Sequence, residues 1–107
     1  MHRTALLELL KSGDTVFKYP LKVTFMPGEE EAVVSVPKRH FKRAVKRNLL
    51  KRRIREALRH NLHLLGGERY NMFFYYVGTD IESYDRIQES VCKIFSDMAS
   101  RKADTAL

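Results

Sequence analysis

A chain of 107 residues, 44% of them hydrophobic, has material for one folded domain with a modest core, which excludes a disordered basic tail. No run approaches the ~20 apolar residues of a membrane-spanning helix, and the lone Cys92 excludes an internal disulfide and fits a reducing compartment. With 20 Lys/Arg against 13 Asp/Glu the formal charge is +7, the balance of a protein that meets polyanions.

The opening MHRTALLELLKSG lacks the long apolar region of a signal peptide, so a cytoplasmic protein is expected. Leu6, Leu7 and Leu10 recur at helical spacing and predict a helix over about 4–12, stopped at Gly13. A short edge strand is expected over Thr15–Lys18. Leu21–Met26 alternates with period two, Pro27-Gly28 and Glu29–Glu31 form a turn, and Ala32–Val36 returns as a strand ended by Pro37. This pattern predicts an antiparallel hairpin. A long helix over about Phe41–Leu62 follows, with Gly66-Gly67 stopping what comes after it. Tyr70–Val77 is apolar on both faces, as in an inner strand. Thr79-x-x-Glu82 has the form of a capping box opening a last helix, whose stripe is Tyr84, Ile87, Val91, Ile94, Phe95 and Met98. The tail 101–107 is expected to fray. The whole is a single domain over 1–107, an α+β two-layer sandwich in the order α-β-β-β-α-β-α.

Charge is concentrated in the long helix. Between Lys38 and Arg59, KRHFKRAVKRNLLKRRIREALR holds eleven Lys/Arg and one acid, Glu56, a formal +10, so the remainder of the chain carries −3. At ~100° per residue, Leu50, Ile54, Ala57 and Leu58 share the face that must dock on the sheet. Asn48, Lys51, Arg52, Arg55 and Arg59 share another, roughly 130° away by the same arithmetic. Arg47 lies on the edge between the two, and Lys46 and Arg53 form a smaller patch on a third side. A run of three basic residues reads as a solvated face. Eleven with one acid reads as an RNA footprint, because like charges at i, i+3 and i+4 repel by ~0.2–0.5 kcal/mol per pair and a helix shaped for stability alone would intersperse Glu. Arginine adds bidentate phosphate contacts, and the Asn48 amide both donates and accepts.

These residues resemble the protein subunit of bacterial ribonuclease P. The family's central helix carries A-V, one residue, then R-N, followed by K-R and a further R three residues on. Here the string stands as Ala44-Val45-Lys46-Arg47-Asn48-Leu49-Leu50-Lys51-Arg52-Arg53-Ile54-Arg55, and the similarity of layout extends from about Leu6 to Met98. The resemblance implies a ribosomal-protein-like domain with a left-handed βαβ crossover, an exception to the usual handedness. It implies one protein per catalytic RNA, acting on precursor tRNA. The RNA and its bound Mg²⁺ remove the 5′ leader, so that the chain is a subunit of an endoribonuclease without a catalytic residue of its own. Carried over, Arg47, Asn48, Lys51, Arg52 and Arg55 face the catalytic RNA, with Arg59 extending the strip, and Lys38 and Arg39 match the basic pair ending the hairpin. The leader lies in a cleft between the sheet and the first helix. Many members place aromatics on that helix where Leu6 and Leu10 stand here, so Phe17, Tyr19 and Phe25 are the candidate stacking platforms. Lys42-Arg43 replaces a Gly-Asn common in relatives.

The rival reading is a ribosomal or RNA-assembly protein using the same strip on a different structured RNA. Other constellations are thinner. His60-x-x-His63 lacks a third metal ligand of fixed spacing. Glu29–Glu31 reads as a solvated turn, and Cys92 as a packed hydrophobe. Tyr70–Tyr76 reads as core before it reads as an RNA-stacking sheet, since the glycine-bearing aromatic signature of that module is absent. No nucleophile triad or phosphate loop is present, and the basic helix lacks the aromatic face of a membrane-surface helix.

Overall fold

Seven residues from Tyr70 to Tyr76 organise the molecule, because both faces and both edges of that strand are in use. In the computed structural model, which describes the backbone of residues 2–105 and side chains through Arg101, the order is α1 (Arg3–Ser12), β1 (Asp14–Lys18), β2 (Leu21–Pro27), β3 (Ala32–Ser35), α2 (Ala44–Asn61), a 3-10 turn (Leu62–Leu65), β4 (Tyr70–Tyr76) and α3 (Tyr84–Thr105). The tail 101–107, expected to fray, continues α3 in its backbone through Thr105, and residues 106–107 lie outside the described residues. The α-β-β-β-α-β-α order is the one expected.

The pairing differs from the hairpin predicted for 21–26 and 32–36. The sheet runs β1-β2-β4-β3, so β4 lies between those two strands. It is antiparallel to β2, with Phe25 opposite Met72, and parallel to β3, with Val34 opposite Phe74. The hairpin is instead β1–β2, where Val16 faces Val23. The physical reason lies in β4: a strand apolar on both faces is stable in the middle of a sheet, so it takes a neighbour on each edge. The Gly28–Glu31 segment then crosses its end rather than making a tight turn, with Gly28 N–H donating to Arg69 O and Met72 N–H to Glu31 O. Parallel β3 and β4 need a crossover, and α2 supplies it.

Alternation sorts the sheet residues. Val16, Leu21, Val23, Phe25, Tyr70, Met72, Phe74 and Tyr76 face α2 and α3 and form one core with Leu50, Ile54, Ala57, Ile87, Val91, Ile94, Phe95 and Met98. Leu50 and Ile54 are fully buried, each contributing roughly 1.5–3 kcal/mol by removal from water. The buried Asn61 fastens the end of α2, its Nδ2 donating to Ala57 O at 2.7 Å and its Oδ1 accepting from Gln88 on α3 at 3.5 Å. On the other face, among the described elements, only α1 packs, through buried Leu9. Its last turn approaches β2 so closely that a Cβ on Gly13 would stand 2.6 Å from Leu9 O and 2.9 Å from Thr24 Cγ2. Gly13 is therefore fixed by space.

Two helix starts differ from expectation. α2 begins at Ala44 because Phe41 is buried outside the helix, edge-on to Tyr76 with ring centroids 5.7 Å apart. α3 is capped by Ser83, whose Oγ accepts from Arg86 N–H at 3.2 Å, and not by Thr79. The loop between is held by the buried Tyr76 hydroxyl, which donates to Asp80 O and accepts from Glu82 N–H. Burial raises the Tyr76 pKa to about 12.

Candidate nucleic-acid interface

The docking stripe of α2 fixes where its charge points. With Leu50, Ile54, Ala57 and Asn61 buried, Asn48, Arg52, Arg55 and Arg59 are exposed and Lys51 is half-buried, in one strip along the helix. Among the described residues none of these four cationic side chains pairs with a carboxylate, whereas ion pairs do form on and beside α3. The strip is thus an open row of guanidinium and ammonium groups on a rigid support, the arrangement that grips phosphates.

Two arginines of the same helix are employed differently. Arg47 is half-buried, and its Nη1 donates to Phe41 O and Lys42 O, both at 2.8 Å. Those carbonyls belong to the segment leading into α2, so Arg47 braces the helix entry. Arg53 donates from Nη1 to Glu82 O at 2.6 Å, tying α2 to the loop before α3. That bond removes Arg53 from the expected patch with Lys46. Lys38 and Arg39 are exposed on the loop between β3 and α2.

A second surface opens on the sheet face beside α1. Leu10, Lys22, Thr24, Phe73 and Tyr75 line a shallow cleft there. Register puts Phe17, Lys22 and Tyr75 in one row across β1, β2 and β4, and directly paired residues share a face. Phe73 and Tyr75 are stacked, with rings 6.4 Å apart and 22° between planes. Phe17 is 57% exposed at the edge of this face. Of the three aromatics expected in the cleft, only Phe17 lies on this face, in the row of Lys22 and Tyr75 but outside the cleft's lining. Phe25 is buried on the opposite face against Tyr70, ring centroids 5.5 Å apart. Tyr19 sits in the β1–β2 turn, before a cis Pro20, and its hydroxyl reaches Glu82 at 3.4 Å beside α3. Strand parity explains both: Phe25 shares the phase of Leu21 and Val23, and Tyr19 lies past the last paired residue, Lys18. Phe73 and Tyr75 are the cleft residues that the sequence reading of Tyr70–Tyr76 assigned to the core. Their signal was the phase of β4, which separates them from Tyr70, Met72, Phe74 and Tyr76.

His60 Nδ1 contacts the Tyr84 hydroxyl at 2.7 Å. No group of three or more His, Cys, Asp or Glu among the described residues is placed to hold a metal ion. No helix among them is long and apolar enough to cross a membrane.

With this geometry in hand, comparison with known proteins gives one consistent result. A family model described as Ribonuclease P matches residues 2–99. The ribonuclease P protein components of two Porphyromonas gingivalis strains are 35% and 34% identical to this chain, over 89% of its length and 78% of theirs. Among solved structures, the RNase P protein from Thermotoga maritima superposes with a TM-score of 0.75 at 18% identity, covering 89% of this chain and 92% of that one. The Staphylococcus aureus RNase P protein gives 0.70 at 22% identity, covering 90% and 93%. At such identities the two structures speak to the fold, which they share.

Proposed function

Because this chain belongs to the ribonuclease P protein family, we propose that it binds the catalytic RNA through the α2 strip and the 5′ leader of precursor tRNA through the cleft beside α1. The observation that carries the reading is the unpaired cationic row of Lys51, Arg52, Arg55 and Arg59, held outward by a stripe buried to 0% at Leu50, Ile54 and Ala57. Asn48 sits within the row and offers an amide to a sugar hydroxyl or base edge. Phosphates of the catalytic RNA displace counterions as they meet this row. Arg47 contributes by holding the entry to α2 in place.

The leader is single-stranded, and Phe73, Tyr75 and Phe17 offer stacking surfaces while Lys22 offers charge. A base stacked on such a ring gains ~1–3 kcal/mol irrespective of its identity, which suits leaders of varied sequence. Mg²⁺, held by the RNA, supplies the activation of the attacking water. The protein's own residues lower repulsion between two polyanions and position the leader. The site of action is the cytoplasm, with one protein per RNA. The rival, a ribosomal or assembly protein on another structured RNA, predicts a different bound RNA.

Reconstitution tests the reading. Added to the family's catalytic RNA at low Mg²⁺, this chain should restore removal of the 5′ leader, and protein without RNA should cut nothing. Cleavage by the protein alone, or no rescue together with enrichment of ribosomal RNA on pull-down, would overturn it.

A further inference from the structure

Among the described residues, the polar side chains buried with the core are Thr24, Asn61 and Ser90. Asn61 fastens the end of α2, and Thr24 meets the Thr15 hydroxyl at 3.4 Å beside the cleft. Ser90 is 3% exposed, on α3 among Ile87, Val91 and Ile94. A serine inside a helix often turns its hydroxyl back to a carbonyl one turn earlier. Ser90 instead donates from Oγ to Lys18 O at 2.6 Å, at the end of β1. For packing alone alanine would serve better, having the higher helix propensity and no polar group to bury. The hydroxyl is therefore explained by what it holds. β1 is an edge strand of five residues, with β2 as its neighbour in the sheet and Val16 as the one side chain it buries. Past its end, the Tyr19 hydroxyl donates to Glu82 Oε1 at 3.4 Å, and Pro20 O accepts from Val77 N–H at 2.9 Å. Glu82 is itself fixed through its backbone, whose N–H donates to the Tyr76 hydroxyl and whose carbonyl accepts from Arg53. Phe17 precedes Lys18 and projects from the opposite face to Val16, in the row of Lys22 and Tyr75.

We propose that Ser90 and the Tyr19–Glu82 pair are positioning residues for leader binding: they hold the end of β1 from the α3 side, so that Phe17 is set as a stacking platform before the leader arrives. The inference rests on the leader reading of the sheet face beside α1. A strand with one sheet neighbour and one buried side chain belongs to the loosely held part of a fold unless something else fastens it. A ring carried on a loose strand has to be ordered as the ligand binds, and that ordering subtracts from affinity. A ring held in advance binds without this cost. Ser90 and Glu82 grip a backbone carbonyl and a hydroxyl on either side of the strand's last residue, so they act through the placement of Phe17 and not on the RNA. Tyr19, which lies outside the cleft, is given its part in leader binding by this route.

The test uses the full chain bound to the catalytic RNA, titrated with leader-bearing precursor tRNA and with leaderless tRNA. Ser90→Ala and Tyr19→Phe should each weaken precursor binding by roughly two- to tenfold, the cost of ordering one side chain on binding. Both should leave binding of leaderless tRNA, and of the catalytic RNA itself, at the parental level. In a Phe17→Ala background the same two changes should have no further effect on the precursor. A merely structural loss would persist in that background and would reach leaderless tRNA as well, and either result would overturn the proposal. So would parental precursor binding in both variants. Tyr19→Phe removes one exposed hydroxyl, so it carries the test alone if Ser90→Ala fails to fold. Phe17→Ala without effect, while Phe73→Ala and Tyr75→Ala weaken precursor binding, would refute the positioning role and leave the cleft intact. No effect from any of the three rings would refute the leader reading itself.

Discussion

Arg47 and Arg55 stand eight residues apart on one helix in one basic motif, yet the structure gives them opposite duties. Replacing Arg47 by Ala removes two donated hydrogen bonds, to Phe41 O and Lys42 O at 2.8 Å each. A bond from a charged donor is worth ~1.5–3 kcal/mol when its acceptor is left unsatisfied, and less where water can replace it. The Phe41 carbonyl is partly buried and the Lys42 carbonyl is exposed, so the sum is about 2–3 kcal/mol. For a domain of this size each kcal/mol moves Tm by ~4–8 °C, so a fall on the order of 10 °C or more is expected. Arg47→Lys should recover only part of it, because an ammonium lacks the planar fork. Arg55→Ala, at an exposed side chain with no ion pair among the described residues, should stay within about 0.5 kcal/mol of the parent while weakening RNA binding. Thermal unfolding followed by circular dichroism, in the absence of RNA, measures the stability of both variants. Equal losses for the two variants, or a parental Tm for Arg47→Ala, would refute this division.

The strip predicts that Arg52→Ala and Arg55→Ala each reduce the salt slope of catalytic-RNA binding by about one unit, read by filter binding across a salt series. The cleft predicts that Tyr75→Ala or Phe73→Ala weakens binding of leader-bearing precursor by ~1–3 kcal/mol while leaderless tRNA is unaffected; equal loss for both substrates would remove these rings from the leader path. Tyr76 predicts an alkaline limit. Its phenol, at about 12, stays protonated in the fold, whereas an unfolded tyrosine ionises near 10. Its contribution is therefore complete below pH ~10 and declines as pH rises toward 12, by up to about 1.4 kcal/mol per unit. Tyr76→Phe should lose that part of the pH slope. At neutral pH it should also cost ~1–3 kcal/mol, since Glu82 N–H and Asp80 O lose their partner.

What was legible in the sequence was whatever a single element encodes by its own period. The stripes at Leu50, Ile54 and Ala57, and at Ile87, Val91, Ile94, Phe95 and Met98, are buried as their spacing indicates. Strand pairing was not legible in that way. Two alternating runs around an acidic turn have the local form of a hairpin, and only the distant β4 decides that they part. Parity within strands was available and would have placed Phe25 in the core and Phe73 and Tyr75 on the open face. The brace made by Arg47 was out of reach: nothing in an R-N pair announces that the arginine turns back to carbonyls five and six residues earlier. The cap at Ser83 rather than Thr79 follows from a tertiary contact, the Tyr76 hydroxyl holding Asp80 and Glu82 outside the helix.

The two long helices provide an internal comparison that bears on why the strip exists. Along α3 and its lead-in, Arg86, Lys93 and Arg101 each follow an acid by four residues, and all three pairs form, to Glu82 at 3.9 Å, Glu89 at 3.0 Å and Asp97 at 3.2 Å. The Glu89 carboxyl is held below its ordinary range by its hydrogen bond and charge attraction to Lys93. Such exposed pairs add little to stability, but they show that interspersed acids are available to this chain. α2 packs beside α3 with a stripe just as well buried, and carries one acid, Glu56, among its cations. If α2 served the fold alone, substituting acids into its outer face would cost nothing and relieve repulsion. Leaving the row unpaired keeps every phosphate contact free of a competing carboxylate, so the missing acids are explained by a ligand that brings its own negative charge.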